Sequence, residues 1–266
     1  MNRTQRNRLP LSILAAEKKA QEVLSQFGID GPEHIRVKDL AYALGAGVVE
    51  GPLRGAAARL TRSRNGAVIR VSDRETYEGR KRFSVAHEIG HLGLGHAKQQ
   101  DFVCTDKDMI AGLNDASKES EANAFAGELL LPTRLVAKSC DVAEVTFDPV
   151  RHLAGEFRTS LTATALKFVR LCPEMCALVY SKDGKVKWVA KSDDFRPYIP
   201  VDKPLDNRTL AYDYFVDRDF HDDPEEIDAD AWLDCSESRG IDEIVEHSVA
   251  MPSLESVLSL LWIKPS

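Results

Sequence analysis

The sequence contains His87-Glu88-Ile89-Gly90-His91, two histidines four residues apart with a glutamate directly after the first. On a helix, residues four apart lie on one face, one turn above the other. Both imidazoles can therefore reach a single metal ion. Glu88 is turned toward the edge of the same site, where a general base for water activation belongs. The flanking Phe83, Val85, Ala86, Ile89, Leu92 and Leu94 are apolar, which predicts a core helix starting near Arg80. A buried His-Glu-His set needs a partner to offset its desolvation, and a metal ion supplies one.

Two histidines do not complete a catalytic zinc site. A third protein ligand is needed, with one position left open. A third histidine six residues beyond the second would fall on Ala97, so that solution is absent. His96 is one residue out of register. It reads as a neighbour of the site, a cation at the helix C-terminus or an exposed side chain. The other solution is an acid from a later helix, and Glu119 to Pro132 provides one. Glu119 and Asn123 are four apart and share a face, so Glu119 can bind metal while Asn123 orients a ligand imidazole. Glu121 lies nearly opposite and is expected in solvent. Phe125, Leu129 and Leu130 are expected in the core. The expected site is thus one Zn2+ per chain on His87, His91 and Glu119, with Glu88 as the catalytic base. For a second oxyanion donor the candidates are Tyr77, Arg82 and His96.

The elements that must position these residues follow from periodicity and punctuation. Leu11 to Phe27 is helical in period and stops at Gly28; Val37 to Leu44 is a second helix ending at Gly45. Ala56–Thr61 and Ala67–Val71 read as strands around a polar turn at Arg62–Gly66. After the metal helix comes a polar stretch, Gln99 to Ser117, which holds Cys104. Helices are then expected at Glu119–Leu131, Thr133–Cys140, Pro149–Phe157 and Ser160–Leu171. Near Cys172 the character changes. Cys176–Ser181 and Lys185–Ala190 form a hairpin, an acidic loop follows, and Ile244–Ala250 and Val257–Ile263 read as strands. The fold class is α+β. A basic, disordered arm is expected over 1–10, a domain holding the metal site over 11–172 and a smaller α+β domain over 173–266, which the resemblance below reads as a zinc metallopeptidase domain and a sensor or regulatory domain.

Composition is that of a globular chain: 266 residues, 43% hydrophobic, 29% charged. No apolar run is long enough to span a bilayer, and Glu17, Lys18 and Lys19 interrupt any signal-type segment, so the expectation is a cytoplasmic protein that does not engage a membrane. Five scattered cysteines, an odd number, read as free thiols. The net charge of −7 is unevenly spread. Nine Lys and Arg residues crowd Arg54 to Arg82, and ten Asp and Glu residues crowd Asp213 to Asp234. Arg59, Arg62, Arg64, Arg70 and Arg82 could line a groove for single-stranded DNA or an acidic partner.

His87-Glu88-Ile89-Gly90-His91, followed by Glu119-x-Glu121-Ala122-Asn123-x-Phe125-Ala126 and Leu130-Leu131-Pro132, resembles the ImmA/IrrE family of zinc metallopeptidases. The resemblance spans about Leu11 to Leu171. It implies a minimal thermolysin-like zincin fold, mostly helical with a small sheet. It also implies a restricted substrate, a helix-turn-helix repressor whose cleavage releases stress, DNA-damage or mobile-element genes. The C-terminal part resembles the GAF-like sensor domain of some members, including peptidases that accompany anti-phage operons. The residues concerned are Asp206–Phe215 and Val257–Trp262.

A protease aimed at a cellular regulator must be held off until needed. A thiolate is a good zinc ligand, so Cys104 is a candidate inhibitory ligand, with Cys140 the weaker alternative. The trigger would be single-stranded DNA in the basic groove or a signal read by the C-terminal domain. The competing reading is a non-catalytic one, a zinc-stabilised binding module or antitoxin-like partner. Glu88 weighs against it, because a structural metal site does not need that residue.

Overall fold

The computed structural model describes residues 10–53, 55–64, 66–96, 117–216, 221–234 and 240–265. The chain packs as two compact units. One runs to Leu135 and includes Ala154–Ser160; the other comprises Val136–Leu153 and Leu161–Ser266. The fold is α+β: a mostly helical unit with a small sheet, and a sheet-rich C-terminal unit.

In the first unit, α1 (Leu11–Gln26) buries Ile13, Ala16, Ala20, Val23 and Leu24, a stripe at three- and four-residue spacing. It ends before Gly28, whose φ of +63° an L side chain would resist. A short α2 (Val37–Ala43) leads into β1 (Ala46–Gly51), β2 (Ala58–Ser63) and β3 (Gly66–Ser72). β3 is central, parallel to β1 and antiparallel to β2. The β2–β3 turn is tighter than its polar sequence implies: β2 continues through Ser63, which pairs with Gly66. Two long helices follow, α3 (Glu78–Gly93) and α4 (Lys118–Leu130), and then a short α5 (Thr133–Val136).

Helix α4 is the centre of this unit. It packs against α1 on one side and α3 on the other. Phe125, Ala126, Leu129 and Leu130 are fully enclosed, as the sequence pattern predicts. Ser117 caps α4 by accepting from the Ser120 N–H at 3.2 Å, which fixes where the helix starts. Its far end is tied by Glu128, which accepts from Gln21 of α1 and from the backbone N–H and hydroxyl of Thr133.

Helix α6 (Phe147–Phe157) crosses the division at Leu153, and in the second unit α7 (Leu161–Leu171) precedes a five-stranded sheet. Its strands are β4 (Cys176–Lys182), β5 (Lys185–Lys191), β6 (Glu225–Asp228), β7 (Glu243–Met251) and β8 (Ser256–Trp262), with α8 (Leu210–Val216) between β5 and β6. The order is β5-β4-β8-β7-β6 and every neighbouring pair is antiparallel. β8 is central and buried along its whole length. The β4–β5 hairpin turns at Asp183 and Gly184, both at positive φ. Packing divides the chain earlier than the change of character near residue 172, because α7 lies against β4 and β5 and buries Ala165, Phe168 and Val169.

The acidic stretch read as loop holds α8 and β6. The reason is Glu246 of β7, buried in the sheet. It accepts from the Leu210 and Ala211 N–H groups that open α8, from Trp232 Nε1 at 2.8 Å and from the Ser248 hydroxyl at 2.6 Å. Burial pushes its pKa up, while those four donors pull it down. A carboxyl raised in the fold binds its proton more tightly there than in the unfolded chain. Its stabilising contribution is therefore complete below the unfolded value and falls as pH rises through the folded one. Glu246→Ala takes the acceptor from three buried N–H donors, while the Ser248 hydroxyl keeps Ser259 Oγ at 2.6 Å, and should destabilise this unit by about 3 kcal/mol or more in urea unfolding. A change below about 1 kcal/mol would show that these donors find other partners.

Candidate metal centre

Helices α3 and α4 bring the predicted ligands together. His87 and His91 lie one turn apart on α3 and are fully buried. Glu119, in the first turn of α4, reaches both. His87 Nε2 is 3.1 Å from Glu119 Oε2, His91 Nε2 is 3.4 Å from Glu119 Oε1, and the two Nε2 atoms are 2.9 Å apart. Among the described residues these three form a group able to hold a metal ion. Ligand distances of about 2.0–2.2 Å in a tetrahedral zinc site put neighbouring donor atoms roughly 3.3 Å apart, so the cluster has the right dimensions.

The protons decide what the cluster can hold. His87 Nδ1 is 2.8 Å from Asn123 Oδ1, which only accepts, so the ring proton sits on Nδ1 and Nε2 carries a lone pair. His91 Nδ1 faces His96 Nδ1 at 3.1 Å, and His96 Nε2 faces Glu121 Oε2 at 2.8 Å. Glu121 accepts from His96 Nε2–H, which leaves His96 Nδ1 to accept from His91 Nδ1–H. His91 Nε2 then also carries a lone pair. Two imidazole lone pairs and a carboxylate converge on one point, and a cation there would satisfy all three.

Electrostatics agree. Burial opposes charge on Glu119, but the imidazoles of His87 and His91 beside it outweigh burial and hold the carboxyl well below the usual range. Burial lowers the pKa of His91 against the pull of Glu119. The start of α4 adds its positive end to the Glu119 carboxylate.

Glu88 is fully buried, and neither of its oxygens has a hydrogen bond of normal geometry. Burial first, and the Glu119 charge second, push its pKa up to about 8, with the Leu60 backbone N–H pulling it down. That N–H lies on the edge of β2 turned away from β3. The Ser72 N–H to Ala57 O bond, taken with the β2–β3 register, leaves the backbone groups of Ala58, Leu60 and Arg62 facing away from β3. Among the described residues no strand pairs with this edge, which runs beside α3.

Gly90 allows the helices to meet. A Cβ there would come within 3.1 Å of Ala122 O and 3.2 Å of the Phe125 ring. Gly90→Val should cost about 1–3 kcal/mol in chemical unfolding and weaken metal affinity by moving Glu119 away from the histidines. Unchanged affinity would mean that α4 is not positioned by this contact.

Several residues stand elsewhere than the sequence implied. Glu121 is bonded to His96 and only partly exposed, not free in solvent. Arg82 is nine residues from His91, half a turn round α3, so it faces away from the ligands. It is buried, and among the described residues its Nε and Nη2 have no hydrogen-bond partner. Tyr77 donates to Thr159 O. The five arginines of the expected groove do not share one face. Arg59 and Arg70 are cross-strand neighbours, Arg62 lies on the opposite face of β2 and donates to Leu92 O, and Arg64 is exposed after Ser63. Cys104 lies outside the described residues. Cys140 is buried in the second unit, where burial raises its thiol pKa to about 11. No helix among the described residues is long and apolar enough to cross a membrane.

Residues 43–168 match the family model described as the IrrE N-terminal-like domain, Peptidase_M78. That span holds β1–β3, the metal helix and α4. No curated protein matches the sequence. Among solved structures, a Mycobacterium tuberculosis transcriptional regulator superposes with a TM-score of 0.60 at 16% identity, over 94% of this chain and 76% of that one. At that identity the likeness concerns the fold alone. Over residues 43–168 the chain is thus similar to the IrrE N-terminal-like (Peptidase_M78) domain, consistent with the ImmA/IrrE family.

Proposed function

We propose that this protein is a zinc-dependent endopeptidase that cuts a helix-turn-helix transcriptional repressor. The observation that carries the reading is the convergence of two imidazole lone pairs and one carboxylate beside a buried carboxyl that is not part of the set. A structural metal site has no use for Glu88; a hydrolytic one needs it. His87, His91 and Glu119 would hold the ion. A bound zinc would supply Lewis acidity, acidifying water and polarising a carbonyl.

The chain's own groups supply the rest. Asn123 fixes the His87 ring through its Nδ1–H. The edge of β2 turned away from β3 can pair with an extended peptide and lay its backbone alongside Glu88. Glu88 takes a proton from the attacking water and delivers it to the leaving amine. Its buried place directly after the ligand His87 suits that double duty.

The repressor as substrate rests on the family resemblance, and the name of the mycobacterial neighbour points the same way. A cytoplasmic location goes with that substrate. The C-terminal unit is the candidate GAF-like sensor, an antiparallel sheet with helices against it. Single-stranded DNA is the other candidate trigger, with Arg59 and Arg70 its best-placed contacts. A latch through Cys104 would show as a cysteine-to-serine variant active without a trigger.

The test is to incubate the zinc-loaded protein with a panel of helix-turn-helix repressors and read fragments by mass spectrometry, with and without a chelator. Chelator-sensitive cleavage at one defined bond is expected. One zinc per chain without cleavage of any repressor or of unstructured peptides would favour a metal-stabilised binding module.

A further inference from the structure

His96 and Glu121 are the polar pair next to the centre that the proposed chemistry leaves without a task. They come from different helices: His96 follows the end of α3, and Glu121 lies in the first turn of α4. The sequence separates them by 25 residues, yet His96 Nε2 and Glu121 Oε2 are 2.8 Å apart, with side chains 8% and 23% exposed. On its other side His96 Nδ1 meets His91 Nδ1 at 3.1 Å, and the two rings meet edge to face.

We infer that His96 and Glu121 are positioning residues that lock His91 into the tautomer with its proton on Nδ1, so that Nε2 is permanently presented to a metal ion. The inference rests on the zinc reading of the His87, His91 and Glu119 cluster. The argument is one of proton placement. A neutral imidazole has one N–H. The Glu121 carboxylate takes that of His96 at Nε2, so His96 Nδ1 can only accept. His91 must then place its proton on Nδ1, which is the form that ligates through Nε2. Without Glu121, His96 can turn its N–H toward His91. The two Nδ1 atoms then exchange roles, and His91 carries its proton on the nitrogen that should face the metal.

The pair completes a symmetry in the site. Each ligand histidine is held at Nδ1 by a residue from the first turns of α4: His87 directly by Asn123, and His91 through His96 by Glu121. Both holding groups travel with Glu119. The helix that brings the third ligand therefore also sets the tautomers of the first two. This explains why an acid at 121, nearly opposite Glu119 on an ideal helical wheel, is not left in solvent.

The test is zinc affinity by chelator competition on the full chain, together with the ring 1H–15N spectrum of the zinc-loaded protein. Outer-shell partners of ligand histidines are typically worth about 10–100-fold in metal affinity. Glu121→Ala should bind zinc about tenfold more weakly and lose the hydrogen-bonded His91 Nδ1–H signal. Glu121→Gln keeps an accepting oxygen and should stay within about threefold of wild type. His96→Ala should weaken binding at least as much as Glu121→Ala; if it does not fold, the two Glu121 variants carry the test. Equal affinities in wild type and Glu121→Ala, or equal losses in the Ala and Gln variants, overturn the inference. Failure of the zinc reading itself would appear earlier and separately, as absence of zinc from the wild-type protein.

Discussion

Glu88→Gln should leave one zinc bound per chain and lower peptide cleavage by about 10²–10⁴-fold, the range that a positioned acid–base group contributes. Metal retention follows from geometry. The three converging donors are His87 Nε2, His91 Nε2 and Glu119, and Glu88 is not among them. Loss of cleavage follows from chemistry, because an amide cannot take a proton from water near neutral pH. The replacement has the same shape. Nor does it open a cavity, since Gln fills the volume that the fully buried Glu88 occupies. The melting temperature of the zinc-loaded variant should therefore stay within a few degrees of wild type. Zinc analysis and a rate measured on the same sample check both halves. Cleavage near the wild-type rate would remove Glu88 from the reaction. Loss of zinc would instead make it part of the scaffold that sets the ligands.

What could be read from the sequence was what lies within one or two helical turns. His87, Glu88 and His91 are fixed relative to one another by α-helical geometry alone, and Glu119 and Asn123 likewise. The apolar stripe of α4 follows the same rule, so Phe125, Leu129 and Leu130 fall in the core. What could not be read depends on partners far along the chain. The bond from Glu121 to His96 exists only because α4 lies across the end of α3, which Gly90 permits. α8 forms in a stretch dense with acids because Glu246, 36 residues beyond its first turn, receives its opening N–H groups. β6 carries Glu225, Glu226 and Asp228, which read as loop; they suit an edge strand, where charge guards the open side. Clustering of arginines in sequence also misleads. Alternation along a strand sends Arg59 and Arg62 to opposite faces, and the turns of α3 take Arg82 into the interior. A signal to catch His96 was present, a third histidine within five residues of the second, but its role depends on which carboxylate folds back to meet it.

Glu119→Ala should have the second large effect, on metal affinity and through it on stability. It removes the one anionic donor and leaves two neutral nitrogens 2.9 Å apart with nothing to neutralise the ion. The loss should exceed what an outer-shell partner contributes, so a drop of at least about a hundredfold is expected. Binding to the folded state alone stabilises by RT ln(1 + [L]/Kd). Zinc at a hundred times the wild-type Kd adds about 2.7 kcal/mol, and a hundredfold weaker variant gains only about 0.4 kcal/mol at the same concentration. Thermal unfolding with and without zinc should thus show a clear upward shift for wild type and almost none for Glu119→Ala, each shift read against the same protein without metal. Glu121→Ala should lie between them, since about tenfold weaker binding still leaves about 1.4 kcal/mol. That ordering separates the two acids of α4, which differ by two positions in sequence and which spacing alone ranks only by helix face. If Glu121→Ala lost the zinc shift and Glu119→Ala kept it, Glu121 would be the ligand, and the turn of α4 relative to α3 would have to be redrawn.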